Sequence, residues 1–254
     1  MGRLFLGTSG FSYKEWIGSF YPPKMRGEDM LPFYAARFNS VEINSTFYRF
    51  PASDLLGRWR DETPTGFVFA FKARGSITHK LRLRGAEEET SDFLDRVGFI
   101  GDRLGPVLFG LPPNLKRDGR LRDFLDILPP VGRRAVFEFR NASWYVPETF
   151  EELAAARAGF CLADGTGMPV DEPTMEAAAR MAEWSGFAYL RLRGADYSQA
   201  DLARWADYVR RLLDVGDAYV YFKHEEEAKG PQYAAAFGHL RPRVAWDEPL
   251  VLKD

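Results

Sequence analysis

Charged side chains recur inside or directly after short apolar runs, at positions where they could bind or transform an anionic ligand. The clearest case is "FNSVEINSTFYRFP", residues 38–51, which places Glu42 in a run of strand-forming residues. An ionised carboxylate in a core strand is costly unless a specific partner receives it. Asn44, Thr46 and Tyr48 crowd the end of the same run. This pattern indicates a polar site at the end of a buried strand.

Comparable charged residues occur late in other apolar runs. They are Lys72, Glu138, Arg140, Asp164, Arg191, Arg193 and Lys223. Successive strand residues point to opposite faces, and the alternate positions in these runs are apolar enough to pack on helices. We therefore expect the charged residues to point into a common interior. Three acids would meet five bases there, and Glu42 would pair with cations from other strands. Such an excess of positive charge suits an anionic ligand.

The elements that position these residues repeat along the chain. Eight short runs rich in β-branched or aromatic residues alternate with segments of helical character: "RLFLG", "VEIN", "FVFAFKA", "PVLFGLP", "AVFEFR", "FCLAD", "AYLRLRG" and "AYVYFKH". Eight such repeats in 254 residues predict an α/β fold, a single (β/α)8 TIM-type barrel over residues 1–254. An open doubly wound sheet is disfavoured because the first turn, "GTSGFSYKEW", lacks G-x-G-x-x-G.

Two intervening segments show helical features most clearly. Phe93, Leu94, Val97, Ile100 and Leu104 fit one face of a helix. Ser198 followed by Asp201 predicts an N-cap and its return partner for another helix.

Composition limits the classes of partner and location. The chain has 34 Lys and Arg against 36 Asp and Glu, which argues against a surface built throughout for polyanions. A single cysteine, Cys161, excludes an internal disulfide, and three histidines offer no zinc-finger spacing. No apolar run approaches the roughly 18 residues that span a bilayer. The apolar part of the N-terminal stretch is too short for a secretory signal, so we expect no membrane partner and a cytoplasmic location.

Several blocks resemble the YecE-like family, domain-of-unknown-function family 72. They are "LGTSGFSYKEWIGSFYPP", "FNSVEINSTFYRFP", "FKARGSITHKLRL", "GPVLFGLPP", "FEFRNASW" and "YLRLRG". The resemblance covers nearly the whole chain and implies a TIM barrel, but it supplies no reaction. The residues that match the family motifs are Tyr13, Trp16, Glu42, Asn44, Thr46, Tyr48, Lys72, Thr78, His79, Glu138, Arg140, Trp144, Asp164 and Arg191.

Three positions depart from the pattern that this resemblance leads us to expect. Gly110 stands where the family commonly has Gln, Arg193 where it has His, and "YFKHE" where it has "YFNN". The changes remove an imidazole and amides and add positive charge. They weaken a metal or acid–base role for the position of Arg193 and favour anion binding.

The sequence favours an enzyme, a hydrolase, lyase or isomerase, that acts on a small phosphorylated or carboxylated substrate. The predicted binding residues are Arg140, Arg191, Arg193, Lys223, Tyr13, Trp16, Asn44, Thr46, Tyr48 and Trp144. The predicted catalytic residues are Glu138 or Asp164 as general base, His79 or Tyr48 as proton donor, and Glu42 and Lys72. We expect Arg191→Ala to abolish anion binding without unfolding the protein, and Glu138→Gln to remove turnover but not binding.

Other interpretations stay open at this stage. Glu42, Glu138 and Asp164 with His79 or His224 could hold a divalent metal, although arginines would compete for the carboxylates; we expect no cofactor and at most a weakly held Mg²⁺. Glu42 and Glu138 could form a glycosidase pair, and Lys72 a Schiff base, although Glu42 would keep Lys72 protonated. A nucleic acid, with Trp16 or Trp144 stacking on a base, is the second substrate class. A non-catalytic barrel that binds an anionic metabolite would show the same residues.

Overall fold

Strands and helices alternate regularly in the computed structural model, which describes residues 1–128, 134–224 and 226–240. The strands are β1 (Leu4–Thr8), β2 (Ser40–Ile43), β3 (Val68–Lys72), β4 (Leu104–Gly110), β5 (Ala135–Glu138), β6 (Gly159–Ala163), β7 (Phe187–Leu192) and β8 (Asp217–Phe222). The helices are α1 (Met30–Ala35), α2 (Ser53–Asp61), α3 (Glu87–Gly98), α4 (Arg120–Ile127), α5 (Pro147–Ala155), α6 (Glu172–Ser185), α7 (Gln199–Leu213) and α8 (Lys229–Leu240).

The strands form one parallel sheet that curves into a nearly closed barrel. Their order is β1-β8-β7-β6-β5-β4-β3-β2, so β2 to β8 each pair with a neighbour in sequence, and β1 pairs with β8. An isolated parallel bridge between Ser9 and Glu42 connects the ends of β1 and β2. The predicted (β/α)8 barrel is confirmed; residues 241–254 of the predicted domain lie outside the described residues.

Strand parity separates the barrel interior from the layer between strands and helices. Phe71 of β3, Phe137 of β5 and Leu192 of β7 belong to the large apolar cluster that includes buried helix residues. A second, smaller cluster fills the interior and contains Phe5, Ala70, Leu108, Val136, Cys161, Ala163, Phe187, Tyr189, Tyr219 and Tyr221. The interior residues on β3, β5 and β7 lie two positions before Lys72, Glu138 and Arg191. The polar residues therefore follow the apolar interior layers toward the C-terminal ends of the strands.

The helix predictions are partly confirmed. Ser198 and Asp201 form a reciprocal capping box at the start of α7. Helix α3 ends at Gly98, and Leu104 begins β4 instead of continuing the helical face. Among the described residues, no helix is long and apolar enough to cross a membrane.

Helix α6 was not predicted. Its boundaries have clear local causes, because the Asp171 side chain accepts a hydrogen bond from the backbone of Thr174 at the start. At the end, Gly186 adopts a left-handed backbone with φ 79°, which glycine tolerates without a steric cost.

Candidate active site at the C-terminal ends of the strands

Arg191 of β7 lies between two buried carboxylates from other strands. Its Nη2 and Nε atoms donate to Oε1 of Glu42 at 2.9 and 3.2 Å, and its Nη1 donates to Oε2 of Glu138. All three side chains are at most 1% exposed. Arg191 was predicted to bind substrate and to be replaceable without unfolding. Its burial between two carboxylates argues against contact with a ligand, because no donor of the guanidinium is exposed, and the effect of replacing it stays a prediction.

Glu42 has two further partners that the sequence did not predict. Ser9, directly after β1, donates to Oε1 at 2.5 Å, and the Tyr189 hydroxyl donates to Oε2 at 2.6 Å. Burial alone would raise the pKa of Glu42, but the charge of Arg191 and these hydrogen bonds hold that pKa below its ordinary value. Glu42 is therefore ionised and has a structural role, with one cation and two hydroxyl groups as its partners.

Replacing Tyr189 with phenylalanine tests this description of Glu42. The change removes a hydrogen bond to a buried charge without removing the ring, so we expect the free energy of unfolding to fall by about 1–3 kcal/mol. Chemical denaturation at neutral pH measures the difference. Tyr48→Phe is the control because Tyr48 is 80% exposed. Equal stability of the two variants would contradict the assigned role of the Tyr189 hydroxyl.

Glu138 is surrounded by three arginines. Besides Arg191, it accepts a hydrogen bond from Nε of Arg140 at 2.6 Å, and Nη1 of Arg193 lies 3.6 Å from its Oε1. Burial opposes ionisation, yet the arginines lower the pKa of Glu138 to about 2. Such a carboxylate accepts protons poorly near neutral pH, which argues against the predicted role of general base. Its contacts instead hold the arginine side chains in place.

Lys72, at the end of β3, is half-buried beside this group. Its Nζ lies 4.7 Å from the centre of the Phe47 ring, and among the described residues it has no carboxylate oxygen within 4.0 Å. Burial and the charge of Arg191 lower the pKa of Lys72 to about 8. Lys72 is therefore a lysine that titrates near the physiological range. We call Glu42, Lys72, Glu138, Arg140, Arg191 and Arg193 the rim cluster.

His79 lies close to Lys72 on the loop after β3. Its ring is edge-on to Phe47 at 4.9 Å, so both titratable side chains contact the same aromatic ring. Partial burial and the charges of Lys72 and Arg140 lower the pKa of His79 below its ordinary 6.5. A neutral imidazole at pH 7 can accept a proton, and Nδ1 lies 2.9 Å from the Thr78 hydroxyl.

Asp164 and Thr46 have local structural contacts. Asp164 Oδ1 accepts hydrogen bonds from the backbone of Arg193 and, at 3.0 Å, Gly194, while Oδ2 accepts one from the Tyr197 hydroxyl at 2.5 Å. Thr46 is buried, and its hydroxyl lies 2.7 Å from the Lys72 carbonyl oxygen. Through these contacts Asp164 stabilises the loop after β7, and Thr46 packs against the end of β3.

The two tryptophans predicted to stack on a ligand are buried at 1% exposure. The Trp144 indole stacks on Phe139 and donates to the Leu115 carbonyl at 2.7 Å. Trp16 packs against Tyr13, Phe20 and Tyr21. Because their ring faces lie in the protein core, the structure argues against the predicted contact with substrate.

The remaining predicted residues lie around the rim in different environments. Tyr13 is half-buried and donates to the Ser9 carbonyl at 2.8 Å, and Tyr48 is exposed. Asn44 has a buried Nδ2 without a hydrogen-bond partner among the described residues, and it lines a cavity of about 780 Å³ that Tyr13 also borders. Lys223 follows β8 directly and is half-buried.

A larger cavity, about 1020 Å³, borders the starts of β5 and β7 at Ala135 and Phe187. Active sites of TIM barrels lie at the opposite, C-terminal ends of the strands. We therefore place the candidate site at the rim cluster and not in the larger cavity.

The contacts of the carboxylates also bear on two alternative chemistries. Across the described ranges, no three His, Cys, Asp or Glu side chains come together as a metal-binding group. A glycosidase acid requires a raised pKa, whereas the pKa values of Glu42 and Glu138 are both lowered. The proposed metal set and the glycosidase pair therefore lack support in the geometry.

The sequence interpretation missed Ser9, Phe47 and Tyr189. Ser9 and Tyr189 could have been found from parity, because Tyr189 lies two residues before Arg191 and Ser9 continues the interior positions Phe5 and Gly7. Phe47 lies in a short turn after β2, where no strand or helix period applies.

The structure defines a (β/α)8 barrel with a buried ion network and partly exposed cations at the C-terminal ends of its strands. The family model described as "Protein of unknown function DUF72" matches residues 5–247, so the chain belongs to this family. Over 128 residues it is 31% identical to UPF0759 protein YecE of Escherichia coli K12. The aligned region covers 50% of this chain and 44% of YecE. The chain thus spans about half the length of this relative.

Solved structures of the same family share the fold. A DUF72 family protein from Thermotoga maritima superposes with a TM-score of 0.76 at 24% identity, covering 94% of this chain and 98% of the other. One from Enterococcus faecalis has a TM-score of 0.76 at 14% identity, covering 99% of both chains. At these identities the likeness concerns the fold, and the site must be interpreted from its own residues.

Proposed function

We propose that this barrel binds a small phosphorylated or carboxylated substrate at the rim, through Arg140, Arg193 and Lys72. The observation that carries the proposal is the charge distribution in the rim cluster. Glu42 and Glu138 are its two carboxylates, while it contains three arginines and a lysine. Arg191 donates to both carboxylates in the interior, and the cations in excess, Arg140, Arg193 and Lys72, lie at the partly exposed edge.

Arg140 and Arg193 have the exposure and hydrogen-bonding capacity to contact a ligand. Their side chains are 27% and 20% exposed, in contrast to the buried Arg191. Arg140 donates only from Nε to Glu138 within the described part of the chain, which leaves its terminal Nη groups for a bound anion. Burial and the charge of Arg191 lower the pKa of Arg193. An anion at this position would offset the repulsion between the cations.

Proton transfer in this proposal belongs to Lys72 and His79. A general acid or base works best when its pKa lies near the operating pH, which describes these two side chains better than Glu138. This assignment is compatible with a hydrolase, lyase or isomerase. It requires no resident metal, although a divalent ion carried in by a phosphorylated substrate is included in the tests.

The burial of Trp16 and Trp144 removes the stacking surface on which a nucleic-acid substrate depended.

Anion titration of Arg140→Gln tests the proposal. Inorganic phosphate and sulfate, each with and without Mg²⁺, are titrated into the wild type by calorimetry, and the same anions are tested in thermal denaturation. Loss of one charged hydrogen-bonding group costs about 1.5–3 kcal/mol, so the variant should bind at least about tenfold more weakly. Arg122→Gln is the matched control, since Arg122 is 71% exposed and lies on α4. Unchanged affinity in Arg140→Gln would contradict the proposed site.

Binding and catalysis are separated by a second measurement. The bound anion class defines a set of phosphorylated or carboxylated compounds that are then followed for turnover by NMR. Turnover that is lost in His79→Gln, with anion affinity retained, supports an enzyme. Binding without turnover of any member supports a non-catalytic metabolite-binding barrel.

A further inference from the structure

We propose that Lys72 is a nucleophile that forms an imine with an anionic aldehyde or ketone held at the rim. This inference rests on the proposed function and narrows its substrate class to compounds with a carbonyl group close to a phosphate or carboxylate. It also assigns Lys72 a covalent role that electrostatic binding alone does not require.

The surroundings of the Lys72 amine carry the argument. The sequence suggested that Glu42 would keep this amine protonated, but both oxygens of Glu42 are occupied by Ser9, Tyr189 and Arg191. Glu138 is likewise held by arginines. Lys72 contacts the face of Phe47 and lacks a carboxylate partner among the described residues. Burial and the neighbouring Arg191 outweigh the cation–π attraction of the ring, so this amine loses its proton more readily and becomes nucleophilic.

Gly110 leaves room for a methyl-sized group next to the Lys72 side chain. A side chain at Gly110 would place its Cβ 3.8 Å from Cε of Lys72 and 3.9 Å from Oε2 of Glu138, so glycine leaves the position between them open. Arg140 is close enough to contribute to the lowered pKa values of both Lys72 and His79. One small molecule could therefore place an anionic group on Arg140 and a carbonyl carbon at Lys72.

The step is a condensation. The neutral Nζ attacks the carbonyl carbon, a C–N bond forms, and the nitrogen loses one proton as the carbonyl oxygen takes up one, which gives a neutral carbinolamine. The nitrogen then loses a proton while the hydroxyl group accepts one and leaves as water, which gives the imine. His79 is positioned to exchange these protons, because it contacts the same Phe47 ring as Lys72. No oxidant or reductant is consumed.

Reductive trapping with glyoxylate tests the proposal. Glyoxylate has an aldehyde next to a carboxylate, and cyanoborohydride reduces any imine to a stable secondary amine that peptide mass spectrometry locates. The wild-type protein is its own control, because Lys80 is an exposed lysine on the same loop. At pH 7.5 Lys72 should be modified at least about tenfold faster than Lys80, since its lowered pKa increases the neutral fraction of its amine and Arg140 would hold the carboxylate of glyoxylate beside it. Modification of Lys72 no faster than Lys80 overturns the proposal.

Two variants and a competitor connect trapping to the anion site. Arg140→Gln should slow modification of Lys72 and leave Lys80 unchanged, and sulfate should protect Lys72 alone. Lys72→Met should lose the fast reaction entirely. If Lys72 reacts fast but neither sulfate nor Arg140→Gln affects it, the substrate class is wrong. If sulfate binds through Arg140 while Lys72 lacks preferential reactivity, the proposed function stands and the imine fails.

The pH profile provides a readout independent of variants. The rate at Lys72 should rise through about pH 8, where half of its amine is neutral, and level off as the rest loses its proton. A rate at Lys72 that rises up to pH 10 without a plateau would overturn the assignment.

Discussion

Replacing Arg191 with methionine should destabilise the barrel strongly instead of only emptying an anion site. The change leaves Glu42 and Glu138 buried without their shared cation, since Arg191 is 0% exposed and bonded to both. Breaking a buried ion pair by removing one partner costs about 3–5 kcal/mol, because the remaining charge stays uncompensated. This loss would be a large fraction of the stability of a typical domain. Denaturant unfolding at neutral pH measures it.

A compensating variant distinguishes unpaired charge from lost packing. Glu138 keeps Arg140 and Arg193, so adding Glu42→Gln to Arg191→Met neutralises the carboxylate that has lost its cation, and the double variant should recover part of the loss. Arg204→Met is the control, because Arg204 is 80% exposed in its ion pair with Asp201. Two results would contradict this description of the ion network. One is that Arg191→Met is as stable as the control. The other is that Glu42→Gln lowers the free energy of unfolding of Arg191→Met by as much as it lowers that of the wild type.

The network also clarifies why a barrel should bury charge at all. An apolar interior would be at least as stable as a buried ion group, so stability alone does not explain Glu42, Glu138 and Arg191. Their geometry suggests positioning: Glu138 fixes Arg140 by a 2.6 Å hydrogen bond and lies 3.6 Å from Arg193. The buried carboxylates thus act as counter-ions that hold exposed cations at the rim.

The fold could be predicted from the sequence because its signals are local. Eight runs with strand character recur at barrel spacing, and alternation within each run separates interior from exterior positions. This parity correctly placed Glu42, Glu138 and Arg191 inside the barrel, where all three are buried. Helix α6 was missed because its small and polar residues carry a weak apolar stripe, and burial of Ala178, Met181 and Ala182 against the strands decides its structure.

The pairing inside the site could not be predicted from local signals. Parity states that a side chain points inward, but it does not state which inward residues meet across the barrel. That depends on strand order, tilt and register, which bring Arg191 of β7 to Glu42 of β2. The burial of Arg191 could not be foreseen for this reason, since the same cation can bind a ligand or a neighbouring carboxylate. The burial of Trp16 and Trp144 was missed for a similar reason, because a rim position in sequence does not fix exposure.

Acidification should remove a component of stability that belongs to Glu138. Its pKa falls from an ordinary 4.5 to about 2 in the folded protein, so between these values the unfolded chain binds more protons than the folded one. The stabilisation is therefore fully present above pH 4.5 and is lost as the pH falls toward 2. A shift of this size corresponds to about 3 kcal/mol over the whole range. The lowered pKa of Glu42 adds in the same direction.

Urea unfolding between pH 6 and pH 3 in wild type and Glu138→Gln measures this component. The variant should be less stable at pH 6, because a neutral amide no longer compensates three arginines, and its stability should decline less steeply with acid. Glu88→Gln, on the exposed side of α3, should retain the steep wild-type dependence. Because Glu138→Gln and Glu88→Gln each remove a single carboxylate and keep all other titratable groups, a profile that is flattened only in Glu138→Gln identifies Glu138 as the group responsible. Parallel profiles for wild type and Glu138→Gln would show that the arginines do not hold Glu138 ionised, and the counter-ion role assigned to it would fail.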